Sequence, residues 1–249
     1  MRNRLDKLLV EQGLAPSRER AQALILAGRV LVNQQKVEKP GSAVENTALL
    51  RVLGEEQRYV SRGGLKLEAA LTHWQINLSG RHCVDIGTST GGFTDCMLQH
   101  GAASVVAVDT GYGQIAEGLR RDSRVTMLER TNARYLKPGD LPRGISFVSM
   151  DVSFISATLV LPAVIAAVRE PGTVLEAVVL IKPQFEAGRE HVGKGGIVHD
   201  PAAHQLAIDR VRTAVHDLGA SASELADSPI LGGGGGGSGN REFLLYVRF

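Results

Sequence analysis

The sequence predicts an α/β protein: a doubly wound, mainly parallel sheet preceded by a small α+β unit. Three observations carry this. Beyond residue 60, short apolar runs of strand length alternate with amphipathic stretches of helical period. A glycine-rich turn joins the first of those strands to the helix after it. The first 53 residues follow a different pattern and carry a different charge. At 249 residues, 43% hydrophobic and 22% charged, the chain can bury a large core, which excludes a disordered or fibrous class.

Within the first 53 residues, Leu5, Leu8 and Leu9, then Ala21, Leu24 and Ile25, fall at helical spacings. The segment Gly13-Leu14-Ala15-Pro16-Ser17 separates them, so two short helices with a turn are expected. Ser17 can N-cap the second helix, without a full capping box because Arg20 stands where Glu would be needed, and Gly28 ends it. Strands are expected at Val30–Asn33 and Ala48–Leu53, with the Lys39-Pro40-Gly41 turn between them. Polar residues 54–60 read as a linker, and residues 61–249 as the larger domain.

In that larger domain an amphipathic helix is expected from Leu65 to Trp74, then a strand at Cys83–Ile86 and a helix from Gly92 to His100. Further strands are expected at Ser104–Asp109, Val125–Leu128, Ser146–Met150, Val174–Ile181 and Phe243–Val247, with a helix over Ser156–Val168. The last long helix has Asp200 as N-cap, Pro201 in its first turn and Gly219 just past its end. Six glycines, Gly232 to Gly237, interrupt this order and read as a loop. Gly193-Lys194-Gly195-Gly196 lacks the spacing of a phosphate loop and reads as a flexible lid.

Residues 1–53 hold nine Lys/Arg against five Asp/Glu, net +4; the whole chain is +2, so the remainder is −2. A small basic module on a larger neutral body suits a polyanionic partner. The apolar run Leu159 to Val168 is too short to cross a bilayer and is broken by Pro162, and charges occupy the N-terminal positions where a secretory signal needs apolar residues. Cytoplasmic residence, as a monomer or weak dimer away from membranes, is expected. Cys83 and Cys96 are too few for a disulfide framework, the seven histidines lack ligand spacing, and no metal is expected.

Two constellations carry chemistry. In Val84-Asp85-Ile86-Gly87-Thr88-Ser89-Thr90-Gly91-Gly92-Phe93-Thr94, a glycine-rich turn lets backbone approach a ligand at the carboxyl end of a strand. Asp109, at the end of the next strand, suits the hydroxyls of a nucleoside ribose. The spacing is not that of a dinucleotide site; it resembles the cofactor loop of S-adenosylmethionine-dependent methyltransferases. The second constellation is dispersed: Lys66, Asp151, Lys182 and Glu242 stand at element ends that one edge of such a sheet would gather. Taken singly, each reads equally as a solvated charge. Lys182 closes the apolar run Val178–Ile181, and burial beside another cation is how an amine becomes a base near neutrality.

Together these segments resemble the TlyA, or hemolysin A-like, family: an RNA-binding domain of the small-ribosomal-protein S-four type joined to an FtsJ-like ribose methyltransferase. Arg4-Leu5-Asp6, Gly13-Leu14, Ser17-Arg18-Glu19-Arg20-Ala21, Leu24-Ile25, Gly28, Val32-Asn33 and Lys39-Pro40-Gly41 carry the first part. The second rests on Ser61-Arg62-Gly63-Gly64-Leu65-Lys66-Leu67, the glycine loop, Asp151–Ser156, Ile181–Glu186 and Gly239–Leu245. The resemblance implies a Rossmann-like methyltransferase fold. It also implies a Lys66-Asp151-Lys182-Glu242 catalytic tetrad, and S-adenosylmethionine held by Asp85, Gly87, Ser89, Thr90, Gly91, Gly92, Phe93, Asp109 and Asn132. Arg4, Arg18, Arg20 and Lys36 are implied to face RNA, with cytidines in small- and large-subunit rRNA as targets. The glycine tract departs from the family's shorter, mixed segment and bears directly on how Glu242 is positioned. Two alternatives remain open: a membrane-lytic protein, as the hemolysin name suggests, or a ribosome-assembly factor with an inactive methyltransferase fold.

Overall fold

The computed structural model describes residues 2–53, 58–233 and 239–249, which form two compact units divided within residues 54–57. Residues 54–57 of the expected linker and Gly234 to Gly237 of the glycine tract lie outside the described residues.

In the N-terminal unit, β1 (Arg2–Arg4) leads into α1 (Leu5–Glu11), and Ser17 accepts the Arg20 amide at the start of α2 (Arg18–Leu26). The two helices bury Leu5, Leu8 and Leu9 against Ala21, Leu24 and Ile25, the stripes set by their spacing. Then come β2 (Val30–Val32), β3 (Gln35–Lys36), β4 (Ala43–Glu45) and β5 (Leu50–Val52). β1 pairs with β4, and β2 lies between β3 and β5, all antiparallel. Strands β1, β3 and β4 are two or three residues long and mostly exposed, so unlike β2 and β5 they leave no apolar run in the sequence.

The larger unit opens with α3 (Gly63–His73), followed by β6 (His82–Ile86), α4 (Gly92–Gln99), β7 (Ser104–Val108), α5 (Glu117–Arg120) and β8 (Val125–Leu128). The second half runs β9 (Ile145–Met150), α6 (Ala157–Val168), β10 (Glu176–Ile181), α7 (Pro183–Glu186), α8 (Pro201–Asp217), β11 (Ala222–Asp227) and β12 (Phe243–Arg248). The sheet order is β11-β12-β10-β9-β6-β7-β8, parallel except for β12, which is antiparallel to both neighbours. Alternate strand residues pack opposite faces: Val84, Val148 and Val179 against α6 and α8, Cys83, Phe147 and Val178 against α3 and α4. This is the doubly wound fold expected. The order reverses between β6 and β9, so a crevice opens at their carboxyl ends.

Burial pushes both cysteine thiols up to about 12, as befits two reduced core residues. Tyr59 is buried against Gly64, and the Val60 amide donates to Asp95, so residues 59–60 pack onto the larger unit. Glu186 accepts the Ala157 amide at 2.6 Å and the Ser156 hydroxyl at 2.5 Å, fastening the turn after β9 to the turn after β10. The Gly193–Gly196 segment is tied by Asn240, whose amide donates to the Gly196 carbonyl and whose oxygen accepts the Val198 amide. That tether is not what a flexible lid would show.

Candidate active site

Four charged side chains meet at the carboxyl edge of the sheet. Lys66 comes from α3, Asp151 follows β9, Lys182 follows β10, and Glu242 precedes β12. They form two pairs: Lys66 Nζ lies 2.5 Å from Glu242 Oε2, and Lys182 Nζ lies 2.5 Å from Asp151 Oδ1. Lys66 and Lys182 are each only 8% exposed and Glu242 3%, so the pairs interact with little solvent screening. Asp151 Oδ1 pairs with the Lys182 amine, which also donates to Ser153 Oγ at 2.7 Å.

Lys66, Asp151, Ser153 and Lys182 line a cavity of about 320 Å³ together with Gly87 to Thr90, Gly92, Phe93 and Ile230 to Gly233; Glu242 stands behind Lys66 and does not line it. A second cavity of about 380 Å³ adjoins it and shares Gly87, Ser89, Asp151 and Ser153. Asp109, Thr110, Gly111, Gln114, Thr131 and Asn132 line its other side. Gly87 adopts φ +85°, and a Cβ there would overlap the Asp151 carbonyl; only glycine lets the loop pass this close to β9. The two cavities thus meet over bare backbone, which is what a ligand spanning both would need.

Asp109 ties this cradle together, accepting the Ser89 amide through Oδ2 and the Gly111 amide through Oδ1, each at 2.7 Å. Each oxygen keeps lone-pair capacity toward the cavity. Asn132 Oδ1 caps the short turn at Ala133–Tyr135 while the residue lines the same wall.

Two residues expected to touch a cofactor sit elsewhere. Asp85 is fully buried beneath the loop, accepting hydroxyls from Thr94 at 2.7 Å and Ser149 at 3.0 Å, and it lines neither cavity. Burial pushes its carboxyl up to about 6. It lies just before the turn, but its side chain points under the loop into α4 and β9. Gly91, at φ +97°, is the N-cap of α4 and packs toward Leu119 rather than lining a cavity.

Several lining residues escaped sequence reasoning. Ser153, Ser61 and Arg62 lie in the family motifs but carried no role, and Thr110, Gly111 and Thr131 belong to loops without periodicity. Arg62 Nη2 donates to the Gly233 carbonyl at 2.6 Å, anchoring the start of the glycine tract at the cavity. Phe154, 92% exposed at φ +64°, packs its ring 5.5 Å from that of Phe185. In the N-terminal unit, Arg4 and Arg18 both bond Asp6, whereas Lys36 pairs with exposed Glu38 at 2.9 Å. The Arg20 backbone amide completes the Ser17 cap.

Residues 59–249 match the model of the FtsJ-like methyltransferase family, and residues 3–47 match that of the S4 domain. TlyA of Mycobacterium tuberculosis, a 16S/23S rRNA (cytidine-2′-O)-methyltransferase, is 44% identical over 99% of this chain and 90% of its own length. The chain belongs to the TlyA family of S4-domain, FtsJ-like methyltransferases. Another family relative, Hemolysin A of Brachyspira hyodysenteriae, is 38% identical over 98% of each chain. A solved Streptococcus thermophilus structure named as a hemolysin superposes with a TM-score of 0.73 at 43% identity, covering 99% of this chain and 88% of that one. An S-adenosylmethionine-dependent methyltransferase of Mesorhizobium loti, 15% identical, superposes at 0.51 over 72% of this chain and 96% of its own, a likeness of fold alone. Among the described residues, no helix is long and apolar enough to cross a membrane.

Proposed function

We propose that the protein transfers a methyl group to a ribose 2′-hydroxyl of ribosomal RNA, with cytidine as the target nucleoside by analogy with its relatives. The observation that carries this reading is the pairing of Lys66 with Glu242 and of Lys182 with Asp151 at the mouth of a glycine-lined cavity.

S-adenosylmethionine is the donor this site fits. Asp109 and Asn132 line the wall suited to its nucleoside, Gly87 and Ser89 line both cavities where they meet, and Thr90, Gly92 and Phe93 line the first. When bound it supplies an already electrophilic methyl group, so the protein's share of the work is positioning and proton handling. Lys182 Nζ, between Asp151 and Ser153, would take the hydroxyl proton after releasing its own to solvent, and the Asp151 carboxylate would then hold the ammonium so re-formed. Lys66, fixed by Glu242, presents a positive charge beside the attacking oxygen and stabilises the negative charge that develops there. Two lysines and two carboxylates balance, so the site gathers cations without net charge.

Mapping ribose methylation across rRNA from cells with and without the protein, and with Lys182→Ala in its place, tests this. Methylated positions that persist without the protein defeat the reading. A membrane-lytic activity would register instead as leakage of dye-loaded liposomes. An assembly factor with an inactive fold would restore ribosome assembly with no new methyl group.

A further inference from the structure

The N-terminal unit buries one carboxylate, and it is the one its arginines share. Asp6 has no exposed surface. Arg4 grips it with two bonds, Nε to Oδ1 at 3.0 Å and Nη2 to Oδ2 at 2.9 Å. From α2, Arg18 Nε reaches Oδ2 at 3.0 Å and Gln22 Nε2 reaches it at 2.9 Å, while the Asp6 amide donates to the Pro40 carbonyl. The Arg4 bonds, aided by Gln22 and Arg18, hold the Asp6 carboxyl well below the usual carboxylate range despite its burial. The arginine side chains themselves are each 47% exposed. Their bonds to Asp6 leave Arg4 Nη1 and both Nη groups of Arg18 unspent by that carboxylate. Gly41 allows the arrangement: a Cβ there would stand 3.3 Å from Arg4 Nη1.

A long arginine loses side-chain entropy when it docks on a phosphate, and pre-ordering removes that cost from binding. We infer that Asp6 is a positioning residue for RNA: it clamps Arg4 and Arg18 side by side so that their remaining donors meet neighbouring backbone phosphates as a rigid pair. The inference rests on the reading of the N-terminal unit as the RNA anchor. It gives an acidic residue, the one least suited to a polyanion, a part in binding one. Lys36, whose partner Glu38 is 62% exposed, has no such support.

Asp6→Asn separates this from simple electrostatics because the two predict opposite signs. The substitution removes one negative charge, which alone would tighten RNA binding. Loss of the clamp weakens it. In the full-length protein, anisotropy titrations with a 16S rRNA transcript should show Asp6→Asn binding about tenfold weaker at moderate salt. The slope of log affinity against log salt should fall by about one unit for each phosphate that the arginines no longer engage. A merely structural role would lower the active fraction and leave the slope of the folded protein unchanged. Unchanged or tighter binding overturns the proposal.

Should Asp6→Asn lose the thermal transition of the N-terminal unit, Gln22→Met provides the test. It removes one bond to the carboxylate with no change of charge. Binding should weaken about two- to fivefold, the scale of one weakened hydrogen bond; unaltered binding overturns the clamp. Arg4→Ala and Arg18→Ala distinguish the levels. If neither weakens RNA binding, the anchor reading falls and the clamp with it. If both do while Asp6→Asn does not, only the clamp falls.

Discussion

The Glu242 carboxylate rests directly on the α-carbon of Gly232, so closely that a Cβ at 232 would overlap it. The same residue forms an isolated bridge with Asn240, two positions before Glu242. Gly232 is therefore the floor on which one member of the tetrad stands. Because the atom in the way is the far end of a side chain and not backbone, Gly232→Ala should turn Glu242 off Lys66 without disturbing the fold. Methyl transfer to rRNA should fall by about 10²-fold, the scale of a misplaced catalytic group, with cofactor affinity retained and a lower melting temperature from the broken buried pair.

Lys182→Ala removes the amine shared by Asp151 and Ser153. Single-turnover methylation should drop by about 10²- to 10⁴-fold, while calorimetric titration with S-adenosylmethionine stays close to wild type. Joint loss of binding and rate would move Lys182 from the hydroxyl to the donor. Ser153→Ala should slow the same step by a smaller factor, since Asp151 still holds the amine.

For Asp109→Ala, two effects combine. The carboxylate faces the second cavity, and it also fixes the Ser89 and Gly111 amides. Affinity for S-adenosylmethionine should weaken by about 1–3 kcal/mol. Backbone amides of both loops should exchange faster with solvent even without ligand. Preferential binding of NAD would defeat the cofactor assignment.

Asp85 gives a pH dependence of stability. Its folded carboxyl titrates at about 6, above the ordinary aspartate value, because burial disfavours the charge. Its protonated form therefore contributes stability below the unfolded value near 4, and that contribution is lost as pH rises through about 6. A difference of about two units corresponds to roughly 3 kcal/mol. Asp85→Asn should abolish most of that dependence between pH 4 and pH 8, as read from urea melts, without loss of the cofactor site.

The central strands were legible in the sequence because burial on both faces leaves a continuous apolar signature, as in Val105–Val108 and Val178–Ile181. Edge strand β11 was not legible. Ala-Ser-Glu-Leu-Ala-Asp is mostly exposed and gains its conformation from pairing with β12. The four charges could be located because Asp151 and Lys182 close strands while Lys66 and Glu242 stand at the starts of elements, but their grouping as a tetrad came from the family resemblance. The inward turn of Asp85 could not, since it depends on Thr94 and Ser149, which only the fold brings together. Likewise the resemblance implied that Arg4 and Arg18 face RNA, but their common partner Asp6 is invisible until β1, α1 and α2 are brought together.

Strand β12 lies inside the sheet, between β10 and β11, and it is the last element along the chain. Lys66 and its carboxylate partner are 176 positions apart. Closing the sheet and completing the Lys66–Glu242 pair are therefore one event: without Phe243–Arg248 in place the sheet has an open seam along β10 and Lys66 loses its counter-ion.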